Sequence, residues 1–201
     1  MSRNLHVAAA QLGPIQKSDS RTEVVTRLIE LLRQAHSKKA ELVVFPELAL
    51  TTFFPRWFVD DITEADHWYE TEMPSKVTQP LFDEAKKLQV GFCLGYAELT
   101  ATKERFNTQI LVDRSGNTVA KYRKVHIPGH EKHEPDRPFQ HAERYYFTPS
   151  NEGFGVWKAF GGRIGMMICN DRRWPETYRV MGLQGVEMIL CGYNTPLHYV
   201  P

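Results

Sequence analysis

The sequence predicts an α/β domain built on a mixed sheet, and three patterns carry the prediction. Short β-forming runs alternate with amphipathic helical stretches through the first half of the chain. Tight turns then join neighbouring strand-like runs at residues 113–117 and around Gly161-Gly162. The 201 residues suffice for one domain with a sizeable core, read here as a single unit over 1–201 without repeat or linker.

Leu5 to Ala10 opens the chain with an apolar strand. Ser20-Arg21-Thr22-Glu23 has the form of a capping box, and Val24, Val25, Leu28, Ile29, Leu32 and Ala35 follow at helical spacing. Leu42 to Phe45 is too short for a helix and rich in β-formers, so it reads as a buried strand stopped by Pro46. The aromatic, proline-broken segment from Thr51 to Phe58 reads as a loop rather than an element. Val77 to Leu88 is a second amphipathic helix with Leu81, Phe82, Ala85 and Leu88 on one face. Val90 to Ala97, Phe106 to Val112 and Thr118 to Tyr122 are strands, the last two joined by a hairpin turn. A polar, His- and Pro-rich stretch from Val125 to Pro149 shows no period, as functional loops often do. A second hairpin spans Gly155 to Ile168, a short helix runs from Trp174 to Leu183, and Val186 to Cys191 is a strand.

Composition excludes several classes of function. A net charge of +1 from well-mixed signs gives no reason to expect nucleic acid or an anionic membrane as partner. No apolar run approaches the length of a membrane span. Three cysteines, an odd number without metal-type spacing, suit a reducing compartment. Met1-Ser2-Arg3-Asn4 leads into a strand without a charged-then-apolar leader, so a cytoplasmic protein is expected.

The chain is organised around the stretch from Gly165 to Pro175. An apolar strand ends at Cys169, and Pro175 suits the first turn of a helix. A thiol there is expected to feel the helix dipole and the guanidinium groups of Arg172 and Arg173, all favouring thiolate. The alternative is a cysteine buried as a small hydrophobe.

Two further charged residues follow or close strands. Glu47 reads either as a solvated loop carboxylate or as a base able to take a thiol proton and return it to a leaving amine. Lys124 reads either as an exposed strand end or as an ammonium that stabilises an oxyanion. A zinc site on His126, His130, His133 and Glu134 is the competing chemistry. Pro128 and Gly129 break any helix that would align those ligands, and Lys124 would repel a dication, so no metal is expected.

The segments from Val44 to Leu50, Lys121 to His126 and Gly165 to Asp171 resemble, in order and rough separation, the three catalytic motifs of the nitrilase (carbon–nitrogen hydrolase) superfamily. Their flanks, Thr51 to Trp57, Arg137 to His141 and Cys169 to Pro175, resemble the N-carbamoyl-D-amino acid amidohydrolases within it. The resemblance implies a four-layer α-β-β-α sandwich, no metal or organic cofactor, and assembly into homo-dimers or homo-tetramers. It assigns Glu47 as general base and acid, Lys124 as oxyanion stabiliser, Cys169 as nucleophile and Glu143 as a second acidic residue. Glu143 has the alternative of a surface ion pair with Arg144. It also places Asn170, His126, His141, Asn194 and Thr195 against the substrate. One of Arg172 and Arg173 is expected to grip a substrate carboxylate by a guanidinium fork, and the other to be structural, in an ion pair with Asp171 or Glu176.

The implied reaction is hydrolysis of the carbamoyl C–N bond of an N-carbamoyl-D-amino acid to the D-amino acid, CO₂ and ammonia through a cysteine thioester. A β-ureidopropionase, an aliphatic amidase, a nitrilase or a non-catalytic binding member are the alternatives. The family continues past the strand carrying Cys191, so the resemblance also implies a domain incomplete at its C-terminus.

Overall fold

The structure is a computed structural model that describes residues 3–195. Strand β1 (Val7–Ala9) leads to helix α1 (Arg21–Ser37), whose capping box forms as the sequence predicts. The Glu23 N–H donates to Ser20 Oγ at 3.3 Å, and the Ser20 N–H donates to Glu23 Oε2 at 2.8 Å. Two orphan N–H groups of the first turn are thereby satisfied. Strand β2 (Leu42–Val44), helix α2 (Gln79–Leu88) and strands β3 (Gly91–Leu99), β4 (Arg105–Val112) and β5 (Thr118–Arg123) follow. They form one sheet in the order β1-β2-β3-β4-β5, parallel up to β3 and antiparallel beyond it.

A four-residue helix, α3 (Glu143–Tyr146), lies inside the stretch that shows no period in the sequence. Strands β6 (Val156–Ala159) and β7 (Gly162–Ile168) make the second hairpin. After helix α4 (Pro175–Leu183), strand β8 (Met188–Gly192) pairs parallel to β7, giving a sheet in the order β6-β7-β8.

The period-two alternation of β3 and β4 decides which side chains go where. Phe92, Leu94, Tyr96, Ile110 and Val112 pack with Val24, Leu28, Leu32 and Leu81 beneath α1 and α2. Cys93 and Leu111 face the other way, onto Ile164, Met166, Ile168 and Leu190 of the second sheet. Met181 of α4 lies against Gly165 on the far side of that sheet. The order of layers is therefore helix, sheet, sheet, helix, as expected of the superfamily. Each fully buried aliphatic side chain among these contributes roughly 1.5–3 kcal/mol.

The segment read as a plain loop is ordered by its aromatics. Phe54 starts a 3₁₀ turn (Phe54–Arg56), is fully buried, and meets Trp68, Tyr69, Tyr146 and Phe147 at ring separations of 5.0 to 5.7 Å. The sequence shows the aromatics and prolines there but not what the aromatics pack on, because the partners lie elsewhere along the chain. Among the described residues no helix is long and apolar enough to cross a membrane.

Candidate active site

Three ionisable side chains converge where β2 and β5 end. Phe45 still pairs with β3, its N–H donating to Cys93 O at 2.9 Å, but Pro46 has no donor and the chain turns away. Glu47 sits in that turn, followed by Leu48 at φ +49°. Strand β3 passes directly beneath at Gly95, where a Cβ would lie 2.8 Å from Pro46 O and 2.9 Å from Glu47 Cα. Only glycine allows that approach. Lys124 follows β5, its N–H held by Asn107 O at 2.8 Å, and Glu143 opens α3.

Lys124 Nζ donates to Glu47 Oε1 at 2.7 Å and to Glu143 Oε2 at 2.5 Å, with all three side chains at most 1% exposed. Asn107 Nδ2 also donates to Glu47 Oε1, at 2.8 Å, and the Asn194 N–H donates to Oε2 at 3.1 Å. His141 Nε2 lies 3.4 Å from Glu143 Oε1, with its ring half exposed. Glu143 is thus paired with Lys124, not with Arg144, whose Nε donates to Ile127 O.

Burial dominates the proton affinity of Glu47. It holds the carboxyl above the usual range; Lys124 opposes this and Glu143 adds to it. For Glu143 the same burial effect is outweighed by Lys124 and His141, and its pKa falls. Burial would lower the pKa of Lys124, but Glu47 and Glu143 together raise it. The cluster is therefore an ammonium and a carboxylate beside a second carboxylate with enhanced affinity for a proton.

Cys169 directly follows β7 at φ +43°, a left-handed conformation that a side chain adopts only under constraint. Its Sγ lies 3.7 Å from Asn194 O, and one Arg172 nitrogen donates to Cys169 O at 2.7 Å and to Sγ at 3.5 Å. The expectation of a resident thiolate is corrected here. Burial, then the charge of Glu47, push the thiol up to about 12, against the smaller pulls of Lys124 and Arg172. The dipole is also weaker than the sequence suggests. A 3₁₀ turn (Cys169–Arg173) separates the thiol from α4, which starts only at Pro175. The resting group is a thiol that needs a base.

Asp171 is a hub that sequence reasoning treats as a partner for the arginines. It pairs with neither. Fully buried, it accepts from Tyr122 Oη at 2.7 Å, the Ile168 N–H at 3.0 Å and the His126 N–H at 2.9 Å. His126 Nδ1 is 3.0 Å away, which places the proton of that nitrogen toward the carboxylate. The His126 ring stacks on Trp174 at 4.8 Å, and Asn170 Nδ2 donates to His126 O at 3.1 Å. Arg172 lies over the Tyr193 ring at 5.1 Å. Arg173 is exposed and makes no hydrogen bond or ion pair with any described residue, Glu176 included. Thr195 and the side chain of Asn194 are exposed.

The residues weighed as zinc ligands do not converge on one point. His126 is on Asp171, His130 Nδ1 is 3.1 Å from Glu134, and His133 stacks on Phe58 at 4.8 Å. Among the described residues no three His, Cys, Asp or Glu side chains are grouped to hold a metal ion. Sequence reasoning misses Asn107 and the backbone of Asn194. For the first a signal exists, since Asn107-Thr108-Gln109 is a polar run inside an otherwise largely apolar strand, and buried polar groups need partners.

The family model for carbon–nitrogen hydrolases matches residues 6–199. An N-carbamoylputrescine amidase from Arabidopsis thaliana is 31% identical over 86% of this chain and 54% of its own length. A citrullinase from Francisella tularensis is 28% identical over 93% of this chain and 60% of its own. The chain thus spans a little over half the length of these relatives. An amidase from Nesterenkonia sp. AN1, captured with acrylamide added to its active-site cysteine, superposes with a TM-score of 0.74 at 18% identity, covering 94% of this chain and 67% of that one.

Proposed function

This chain belongs to the carbon–nitrogen hydrolase family, and on that premise we propose that it carries the reacting groups of a cysteine amidohydrolase acting on N-carbamoyl amino acids. The observation that carries the reading is the backbone of Asn194, which meets Glu47 through its N–H and Cys169 through its carbonyl. In this reading Glu47 takes the thiol proton, and Cys169 attacks the ureido carbon. Lys124 and the Asn170 N–H stabilise the oxyanion, and Glu143 keeps Lys124 charged. Collapse expels one nitrogen as an amine that recovers the proton from Glu47, leaving a carbamoyl thioester. Water, deprotonated by Glu47, then attacks the thioester carbon and expels the Cys169 sulfur, which recovers that proton. The carbamic acid released breaks down to CO₂ and the second nitrogen as an amine.

The named activities of the relatives, on N-carbamoylputrescine and citrulline, support a ureido substrate. Arg173, unpaired among the described residues, supports a carboxylate at its far end; Arg172 is engaged with the nucleophile's own backbone. Preference for the D-enantiomer rests on the resemblance alone, carried by Thr51 to Trp57, Arg137 to His141 and Cys169 to Pro175. A second reading, an N-carbamoyl amine without a carboxylate, is favoured by the names of the plant relatives. A cytoplasmic setting fits three free thiols.

The test compares turnover of N-carbamoyl-D- and L-amino acids, N-carbamoyl-β-alanine, N-carbamoylputrescine and a simple amide. The D-amino acid derivatives are expected to be fastest. A preference for N-carbamoylputrescine would establish the second reading, and activity on the amide alone would overturn both.

A further inference from the structure

The two oxygens of Glu47 are held from different sheets. Oε1 accepts from Asn107 of β4, whereas Oε2 accepts from the Asn194 N–H, two residues past β8. Because the Asn194 carbonyl also lies 3.7 Å from Cys169 Sγ, the end of β8 governs the gap between Glu47 and Cys169.

Two residues pin that end of β8 to the first sheet. Gln109 is fully buried between the sheets, two positions from Asn107 on the same face of β4. Its Nε2 donates to Cys93 Sγ on β3 at 2.7 Å and to Leu190 O on β8 at 3.4 Å, tying one sheet to the other. Its Oε1 has no hydrogen-bond partner among the described residues. An apolar side chain would fill the space without that unmet acceptor, so packing alone does not account for an amide here. Gly192 closes β8 directly over this group. A Cβ there would lie 3.0 Å from Gln109 Oε1, 3.1 Å from Phe45 O and 3.3 Å from Glu47 N. The strand thus rests on the backbone that enters Glu47, so tightly that a Cβ at Gly192 would push its neighbours back by a few tenths of an ångström.

We infer that Gln109, with Gly192, is a positioning residue that sets the distance over which the proton passes from Cys169 to Glu47. Gln109 touches no reacting group and acts through β8 and Asn194. The inference rests on the assignment of Glu47 as base and Cys169 as nucleophile.

The test needs no substrate. Iodoacetamide alkylates Cys169 when Sγ displaces iodide and the thiol proton passes to a base. At neutral pH that base is Glu47, while in strongly alkaline buffer it is hydroxide. Peptide mass spectrometry separates Cys169 from Cys93 and Cys191. The ratio of the neutral to the alkaline rate is measured for the intact protein, for Gln109→Met, which keeps the volume but loses the tie, and for Gly192→Ala. Both variants are expected to lower the ratio by about tenfold or more, part of the roughly 10²–10⁴-fold that a general base supplies, with the alkaline rate unchanged. A purely structural role would lower the melting temperature without moving the ratio. A wild-type ratio in folded Gln109→Met overturns the inference; if that variant does not fold, Gly192→Ala decides in the same way. A wild-type ratio in Glu47→Gln would instead overturn the assignment of the base itself.

Discussion

Lys124 Nζ lies 2.7 Å from Glu47 Oε1, and neither side chain reaches solvent. Two charges out of water are stable only when each satisfies the other, and here Glu143 accepts a second hydrogen bond from the ammonium. In the proposed reaction, chemistry and stability are therefore coupled at this point.

Replacing the ammonium should damage both. Lys124→Met leaves Glu47 and Glu143 buried without their counter-ion. We expect a loss of roughly 3–5 kcal/mol at neutral pH and a fall in turnover of at least about 10²-fold. Without the ammonium both carboxyls have folded pKa values above their unfolded ones. The deficit should then be absent below the unfolded carboxylate pKa and grow as pH rises through the folded values. Urea unfolding of wild type and variant at neutral and acidic pH measures this; a deficit independent of pH would refute it.

The thiols should separate cleanly. Cys169→Ala is expected to abolish turnover while keeping the far-UV spectrum and unfolding midpoint of the wild type. Cys93 is fully buried and burial pushes its thiol up, so Cys93→Ala should cost stability while turnover through Cys169 persists. Residual turnover in Cys169→Ala would contradict the cysteine mechanism.

Asp171→Asn tests the hub. Four donors point at this carboxylate, and an amide would turn its own N–H groups on some of them. A loss of about 2–4 kcal/mol is expected from unmet buried groups, with turnover falling as the Cys169 turn relaxes. Denaturant titration and steady-state kinetics on the same preparation check both.

The arginines should behave differently from one another. Arg173→Lys should slow N-carbamoyl amino acids while sparing N-carbamoylputrescine, because a point charge replaces the guanidinium fork. Arg172→Lys should slow both, since Arg172 braces the Cys169 carbonyl. Equal losses on both substrates in Arg173→Lys would remove the carboxylate assignment.

Acid stability should depend on Glu98, which accepts from Arg123, Lys121 and Thr108. Burial alone would raise its carboxyl, yet these donors hold it at about 2. A carboxyl depressed in the folded state stabilises above its unfolded pKa, and the contribution is lost as pH falls toward 2. The gap in unfolding midpoint between wild type and Glu98→Gln should thus be present at neutral pH and close over that window.

Much of this protein is legible in consecutive residues. The capping box at Ser20, the apolar stripe of α1, the strand stopped by Pro46 and the hairpin at 113–117 are local patterns, and each forms where the sequence predicts it. The positions of Glu47, Lys124 and Cys169 at strand ends are legible for the same reason, since a strand's end is written in its own residues. What packing alone decides is how those ends meet. Asn107 reaches Glu47 only because β4 lies inside the first sheet, and Asn194 reaches it only because the second sheet docks face to face upon the first. The protonation of Cys169 belongs to the same class. Arg172 and Arg173 argue for thiolate when read along the chain. The folded surroundings remove water and bring the charge of Glu47 close, which favours the thiol. Proton affinity depends on solvent and distance in three dimensions, neither of which sequence neighbours specify.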